Sequence, residues 1–127
     1  GSQRIEPDGI APPAANYAHA VLSDHTGRIL HTSGVVPIAP DGSVPAGVAD
    51  QAAVVWSSIS AILAEASMGP ADIVSVVTYV VVGEDLGSVM TARDVALEGN
   101  LVASTLVYVP NLAQPAWKVE VAVVAVA

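Results

Sequence analysis

The chain has 127 residues, enough for one domain with a real core. It is 53% hydrophobic and carries twelve acidic residues against four basic ones (Arg4, Arg28, Arg93 and Lys118), for a formal net charge of −8. Nucleic-acid binding needs clustered cations to displace counterions from phosphates, so RNA and DNA are not expected partners. The absence of cysteine excludes disulfides and thiolate metal sites.

In chain order, Gly1-Ser2 reads as an expression remnant, and residues 3–16, rich in Pro, Ala and Gly, read as an extended arm. Ala18–Ser23 and Arg28–Val36 are β-prone runs joined by Asp24-His25-Thr26-Gly27, which predicts a hairpin. Pro37–Gly47, with three prolines and Asp41-Gly42, predicts a loop. From Ala49 the period becomes helical. Val55, Ile59, Ile62, Leu63 and Ala66 form one apolar stripe, stopped by Gly69-Pro70. Ile73–Val82 is nearly continuous Val/Ile, as in a strand covered on both faces. Asp85 is an N-cap candidate for a second helix that turns Leu86, Val89, Arg93 and Leu97 inward and ends at Gly99. Ser104–Val109 and Lys118–Val126 predict the last two strands.

The resulting order, ββαβαββ, argues a single α+β domain over residues 1–127: a two-layer sandwich with both helices on one face of a mixed sheet. Only 13% of residues are charged, about half the usual share. One subunit cannot hide so much apolar surface, so the uncovered, Val/Ala-lined sheet face predicts self-association. No apolar run approaches the roughly 20 residues needed to span a bilayer. No leader and no membrane partner are expected, and a cytoplasmic location is the default.

One carboxylate stands out. Glu120 lies at the mouth of an Ala/Val run, where a charge loses solvation and is either paired or used. Lys118, two residues away, is the obvious pairing partner. Of the histidines, His25 falls in the turn, while His19 and His31 lie on the two hairpin strands and can approach each other. Two imidazoles without a fixed carboxylate make a poor metal motif, and no metal is expected. Arg93 either pairs with Asp94 or Glu98 or faces a ligand.

Several strings in this order resemble the Rid (YjgF, RidA-like) family: Asn16-Tyr17-Ala18-His19-Ala20, Thr32-Ser33-Gly34-Val35-Val36-Pro37, Ala103-Ser104-Thr105-Leu106-Val107, and Leu112-Ala113 leading to Lys118-Val119-Glu120-Val121. The resemblance runs from Pro7 to Ala127. It implies a chorismate-mutase-like fold, a homotrimer and ligand clefts between subunits, with no cofactor. It also implies hydrolysis of reactive imines and enamines. Carried over by position, Glu120 and Tyr17 would be catalytic, and Ser33, Gly34, Met90, Ser104 and Leu106 would contact the substrate, with Arg93 as a further candidate. Tyr17, Ser33-Gly34 and Ser104 have plain alternatives as strand-entry packing, a bulge and cross-strand Ser/Thr pairing.

Two positions depart from the family. Ser104, or Ala103 with a shift of one, stands where the deaminases keep an arginine for the substrate carboxylate, and Met90 replaces a usual Asn. Charge-assisted hydrogen bonds of that arginine are worth ~1.5–3 kcal/mol each. Their loss predicts a substrate less acidic than a 2-imino acid. The reading inclines to an enzyme of the imine/enamine deaminase type on a small imine, enamine or related carbonyl compound. The alternative is a non-catalytic trimeric module that binds a small metabolite or a partner protein.

Overall fold

The computed structural model describes residues 2–24 and 27–127, in the order β1 (Ser2–Ile5), β2 (Ala20–Ser23), β3 (Ile29–His31), α1 (Val48–Glu65), β4 (Ile73–Val81), α2 (Leu86–Leu97), β5 (Ala103–Val109) and β6 (Val119–Val126). Four strands form a mixed sheet in the order β3-β6-β4-β5, and β1 pairs with β2 in a separate ribbon. β4 and β5 run parallel, joined by α2, whereas β6 is antiparallel to both β4 and β3. Two helices on a mixed sheet is the α+β arrangement predicted from the element order.

The helices cover one face of this sheet. Val76 and Val80 of β4 and Val119, Val121 and Val123 of β6 are buried against Val55, Ile59 and Leu63 of α1 and Val89 and Leu97 of α2. Alternate residues (Val77 and Tyr79, Glu120 and Ala122) point to the other face and stay half-exposed in the single chain. Period-two alternation in β4 and β6 therefore separates a packed side from an open side within the same strands.

Local chemistry sets the helix ends. The Asp85 carboxylate accepts hydrogen bonds from Gly87 N (3.1 Å) and Ser88 Oγ (2.7 Å), capping α2 as predicted. α1 stops four residues before Gly69-Pro70. Ser67 adopts φ 56°, and Ser67 N and Met68 N donate to the carbonyls of Ala64 (2.9 Å) and Leu63 (2.8 Å). This Schellman closure turns Met68 into the core and satisfies the last carbonyls before Gly-Pro is reached. Ile62, placed on the inner stripe from sequence, is instead 38% exposed.

The predicted hairpin is not formed. Among the described residues no ladder joins β2 to β3: β2 pairs with β1 and β3 with β6. His25 and Thr26 of the expected turn lie outside the described residues. The reason is competition from better partners. β6 offers β3 a long Val/Ala edge, and β2 finds Ser2–Ile5, a segment without apolar alternation that reads as arm and remnant from sequence alone. Ser2 Oγ and Ser23 Oγ close that ribbon at 2.9 Å. The last strand begins at Val119 rather than Lys118, and β4 ends at Val81.

Candidate functional site

Glu120 owes its position to three chain segments. The antiparallel register of β6 on β4 sets it directly opposite Tyr79. On the other side, the chain after β3 follows β6 irregularly. Thr32 N donates to Val123 O (3.0 Å) while the Thr32 hydroxyl accepts from Val123 N (3.0 Å), so a side chain replaces one rung of the ladder. Val35 and Val121 then resume the pairing through two backbone hydrogen bonds, of 2.7 and 3.1 Å. Between these ties the chain bulges at Ser33-Gly34, and Gly34 comes to rest against the Glu120 carboxylate. A β-carbon built on Gly34 would overlap Glu120 Oε2 and stand 2.8 Å from its Cδ. The backbone of Gly34 does not have positive φ, so it is space, not conformation, that calls for glycine here.

An open concavity of about 530 Å³ surrounds this carboxylate, lined by Gly34, Tyr79, Asn111, Leu112, Ala113 and Ala122 with Glu120. The expected Lys118–Glu120 pair is absent. Lys118 precedes the strand, and its ammonium meets Glu84 at 3.2 Å. Among the described residues the Glu120 carboxylate has no ion-pair or side-chain hydrogen-bond partner. Ser33 is exposed beside Gly34.

Three of the remaining predicted residues, Arg93, Ser104 and Leu106, lie on the helix-covered side. In the β4–β5 register Ser104 lies opposite Val76 and Leu106 opposite Thr78, both buried, which puts Ser104 and Leu106 on the opposite sheet face from Glu120. Arg93, on the inner face of α2, is 4% exposed. Its Nε donates to Asp94 Oδ1 (3.1 Å) and its Nη1 reaches Ser104 Oγ at 3.4 Å. Asp94 in turn accepts from Asn16 Nδ2 (3.0 Å), tying the arm to α2. Thr78 Oγ1 and Arg93 Nη2 are buried without hydrogen-bond partners, although Nη2 stands 3.1 Å from Asp94 Oδ1 as an ion pair. Tyr17 accepts a hydrogen bond from Ala14 N (3.2 Å) and presents its ring edge-on to His19 at 6.0 Å. The following residue, Ala18, bridges to Ala103 at the start of β5. Met90 is half-buried on α2.

A single chain thus holds two separate polar groups, Glu120 with Gly34 on the open face and Arg93 with Ser104 under α2, and does not bring them together. His19 and His31 are not juxtaposed either, because their strands do not pair. His19 Nε2 bonds to Ala11 O (2.5 Å), and His31 is exposed. Among the described residues, no three of His, Asp and Glu gather where a metal ion could be held. Sequence reasoning missed Tyr79 and Asn111. The available signal was a tyrosine within the Val/Ile run of β4, and the β4–β6 register was needed to set it beside Glu120.

The small α+β domain, with the Glu120 carboxylate laid against Gly34, is of a recognisable class. A family model described as endoribonuclease L-PSP matches residues 9–127, and the chain belongs to this family, the Rid (YjgF) family. Among solved structures it is similar to YyfB from Yersinia pestis, described as a protein of unknown function of the conserved Rid family. That match has 26% identity and a TM-score of 0.86 over 99% of this chain and 98% of that one. The YjgF gene product of E. coli matches at 26% identity and a TM-score of 0.72, covering 98% of each chain. E. coli TdcF, solved with bound serine, shares the fold at 22% identity and a TM-score of 0.72 over 98% of both chains. No curated protein matches the sequence.

Proposed function

We propose that this protein is a cofactor-free enzyme of the Rid type, acting on a small imine, enamine or related carbonyl compound in a cleft between subunits of a homotrimer. The observation that carries the reading is the Glu120 carboxylate, held against Gly34 in an open concavity while the nearest lysine is engaged by Glu84. A carboxylate left unengaged at the mouth of a buried strand is available to move a proton. In the reaction, Glu120 accepts a proton from water as the water oxygen bonds to the iminium carbon. It then delivers that proton to the amine nitrogen. As the C–N bond breaks, it takes up the hydroxyl proton of the intermediate and passes it to the departing ammonia, releasing ammonium and the carbonyl product.

The half-exposed open face, with Val77, Ala122 and Val124, supports assembly through this side of the sheet. In such a cleft Tyr17, Ser33, Gly34 and Ser104 would position the ligand, with Met90 and Leu106 shaping the wall and Arg93 as a further contact. Asp94 already compensates the Arg93 guanidinium, which favours a neutral or weakly acidic ligand over a 2-imino acid. TdcF was solved with bound serine, which supports a small polar metabolite as the ligand. Although the family description is that of an endoribonuclease, four cations against twelve acidic residues are too few for RNA. Arg93 and Lys118 are ion-paired, and Arg28 Nη1 bonds to Ala66 O at 2.7 Å.

The test is Glu120→Gln, assayed on imines generated from primary amines by a flavin amine oxidase, with ammonia release timed. General acid–base catalysis contributes roughly 10²–10⁴-fold, and a loss of that size is expected while the melting temperature barely moves. An unchanged rate removes Glu120 from the chemistry. A wild-type protein that releases no ammonia above buffer returns the protein to the second reading, a trimeric module that binds a small metabolite without turning it over.

A further inference from the structure

Gln51 belongs to neither polar group, yet it is 1% exposed and every hydrogen-bonding group of its amide that the fold can reach is used. Nε2 donates to Pro45 O and to Ala116 O, both at 2.8 Å, and Oε1 accepts from Lys118 N at 2.8 Å. One side chain from the first turn of α1 therefore clamps three segments: the loop before the helix, the loop that ends at Trp117, and the entry to β6. Two of these build the Glu120 concavity. The 110–117 loop supplies Asn111, Leu112 and Ala113 to its wall, and Lys118 N lies two residues before Glu120. The β4–β6 ladder fixes Glu120 along the sheet, from the Tyr79 pair to the Val80–Val119 pair. The ladder does not hold the loop wall. That wall's ties are the Trp117 N to Gln114 O turn (3.1 Å) and the Gln51 amide.

We infer that Gln51 is a positioning residue for the proposed reaction, setting the gap between the 110–117 loop and the Glu120 carboxylate from the far side of the sheet. Only an uncharged amide suits the place, because the site presents two carbonyl oxygens and one N–H at once. A leucine leaves all three without their partner, and a glutamate turns oxygen toward the two carbonyls. Misplacement by about 1 Å can cost on the order of 10²-fold in rate. The inference rests on Glu120 being the proton carrier, so its test carries one readout that does not depend on turnover.

Gln51→Leu and Gln51→Glu are each compared with the wild-type trimer. The first readout is kcat and KM on the imine generated from a primary amine by a flavin amine oxidase; the second is the ¹³C titration of the Glu120 side-chain carboxyl by NMR. The expected result is a folded protein whose kcat falls roughly 10–100-fold with KM little changed, and whose Glu120 titration midpoint moves. Gln51→Glu repeats the test at nearly equal volume if the leucine variant does not fold. A lowered melting temperature with wild-type kcat and wild-type Glu120 titration overturns the inference, as does failure of both variants to fold, which would make Gln51 a folding residue. If Glu120→Gln leaves turnover intact, the catalytic reading fails by itself, and the titration still decides whether Gln51 positions the carboxylate.

Discussion

The two faces of the sheet carry opposite economies within the same strands. On the covered face Val119, Val121 and Val123 are at most 2% exposed and pack under α1 and α2. On the open face their neighbours Glu120, Ala122 and Val124 are half-buried, and the one charge among them has a glycine in place of an ion-pair partner. The polar group on the covered side behaves differently again. Arg93 is buried but engaged by Asp94 and Ser104, and Asp94 is engaged by Asn16. Packing therefore resides on one side of β6 and available chemistry on the other, and substitutions on the two sides should fail in different ways.

The largest separation is expected from Gly34→Ala. The backbone tolerates alanine, but the new methyl occupies the space of the Glu120 carboxylate, which must swing away. Imine turnover should fall by ~10²-fold or more, toward the level of Glu120→Gln. Stability should change little, because the displaced group is the end of a flexible side chain. A Gly34→Ala enzyme with full activity would show that the carboxylate works from a different position.

The covered face should give the reverse. Ile59→Ala removes a side chain that is 1% exposed at the centre of the α1 packing. Denaturant unfolding should show a loss of about 2–5 kcal/mol, with kcat retained in the population that remains folded. An equal loss of kcat would mean that the two faces are mechanically coupled and the division drawn here is too sharp.

Arg93 sits between these extremes, buried like the core but carrying a charge. If its guanidinium meets the ligand of a neighbouring subunit, Arg93→Met should raise KM by roughly tenfold or more, the worth of one charge-assisted hydrogen bond, with kcat nearly kept. A change in melting temperature alone would assign Arg93 to holding Asp94, Asn16 and the arm.

How much of this was legible beforehand depended on how local the cause was. The Asp85 cap, the α1 stripe and the Val/Ala strands are set within a few residues, and the α+β order followed from them. The pairing of β2 was not legible, since its partner Ser2–Ile5 has no apolar alternation to announce a strand. The end of α1 was not legible for another reason: Ser67 takes the left-handed position and closes the helix before the Gly69-Pro70 stop is reached. At the site, Glu120 was visible as an isolated charge before an apolar run. Its support by Gly34 and the separation of Ser104 from it were not, because parity within one strand says nothing about the register of the next. Tyr79 and Gln51 needed that register and the loop closure respectively.

The smallest effect expected is at Lys118, where it tests the assignment of Glu120 from the other direction. The Lys118 ammonium and the Glu84 carboxylate lie 3.2 Å apart, with side chains 35% and 22% exposed, so solvent screens the pair. Such pairs contribute ~0.2–1 kcal/mol. Lys118→Met keeps much of the aliphatic stem and removes only the charge, and Glu84→Gln removes its partner. The double variant should cost about as much as either single one, because each breaks the same contact. Rising salt should weaken the pair in the wild type and leave all three variants indifferent. Imine turnover should be unaltered throughout, since Glu120 draws nothing from Lys118 in this arrangement. If turnover instead falls in Lys118→Met but not in Glu84→Gln, the lysine leaves Glu84 for Glu120 when the cleft closes, and the carboxylate is not unengaged during the reaction.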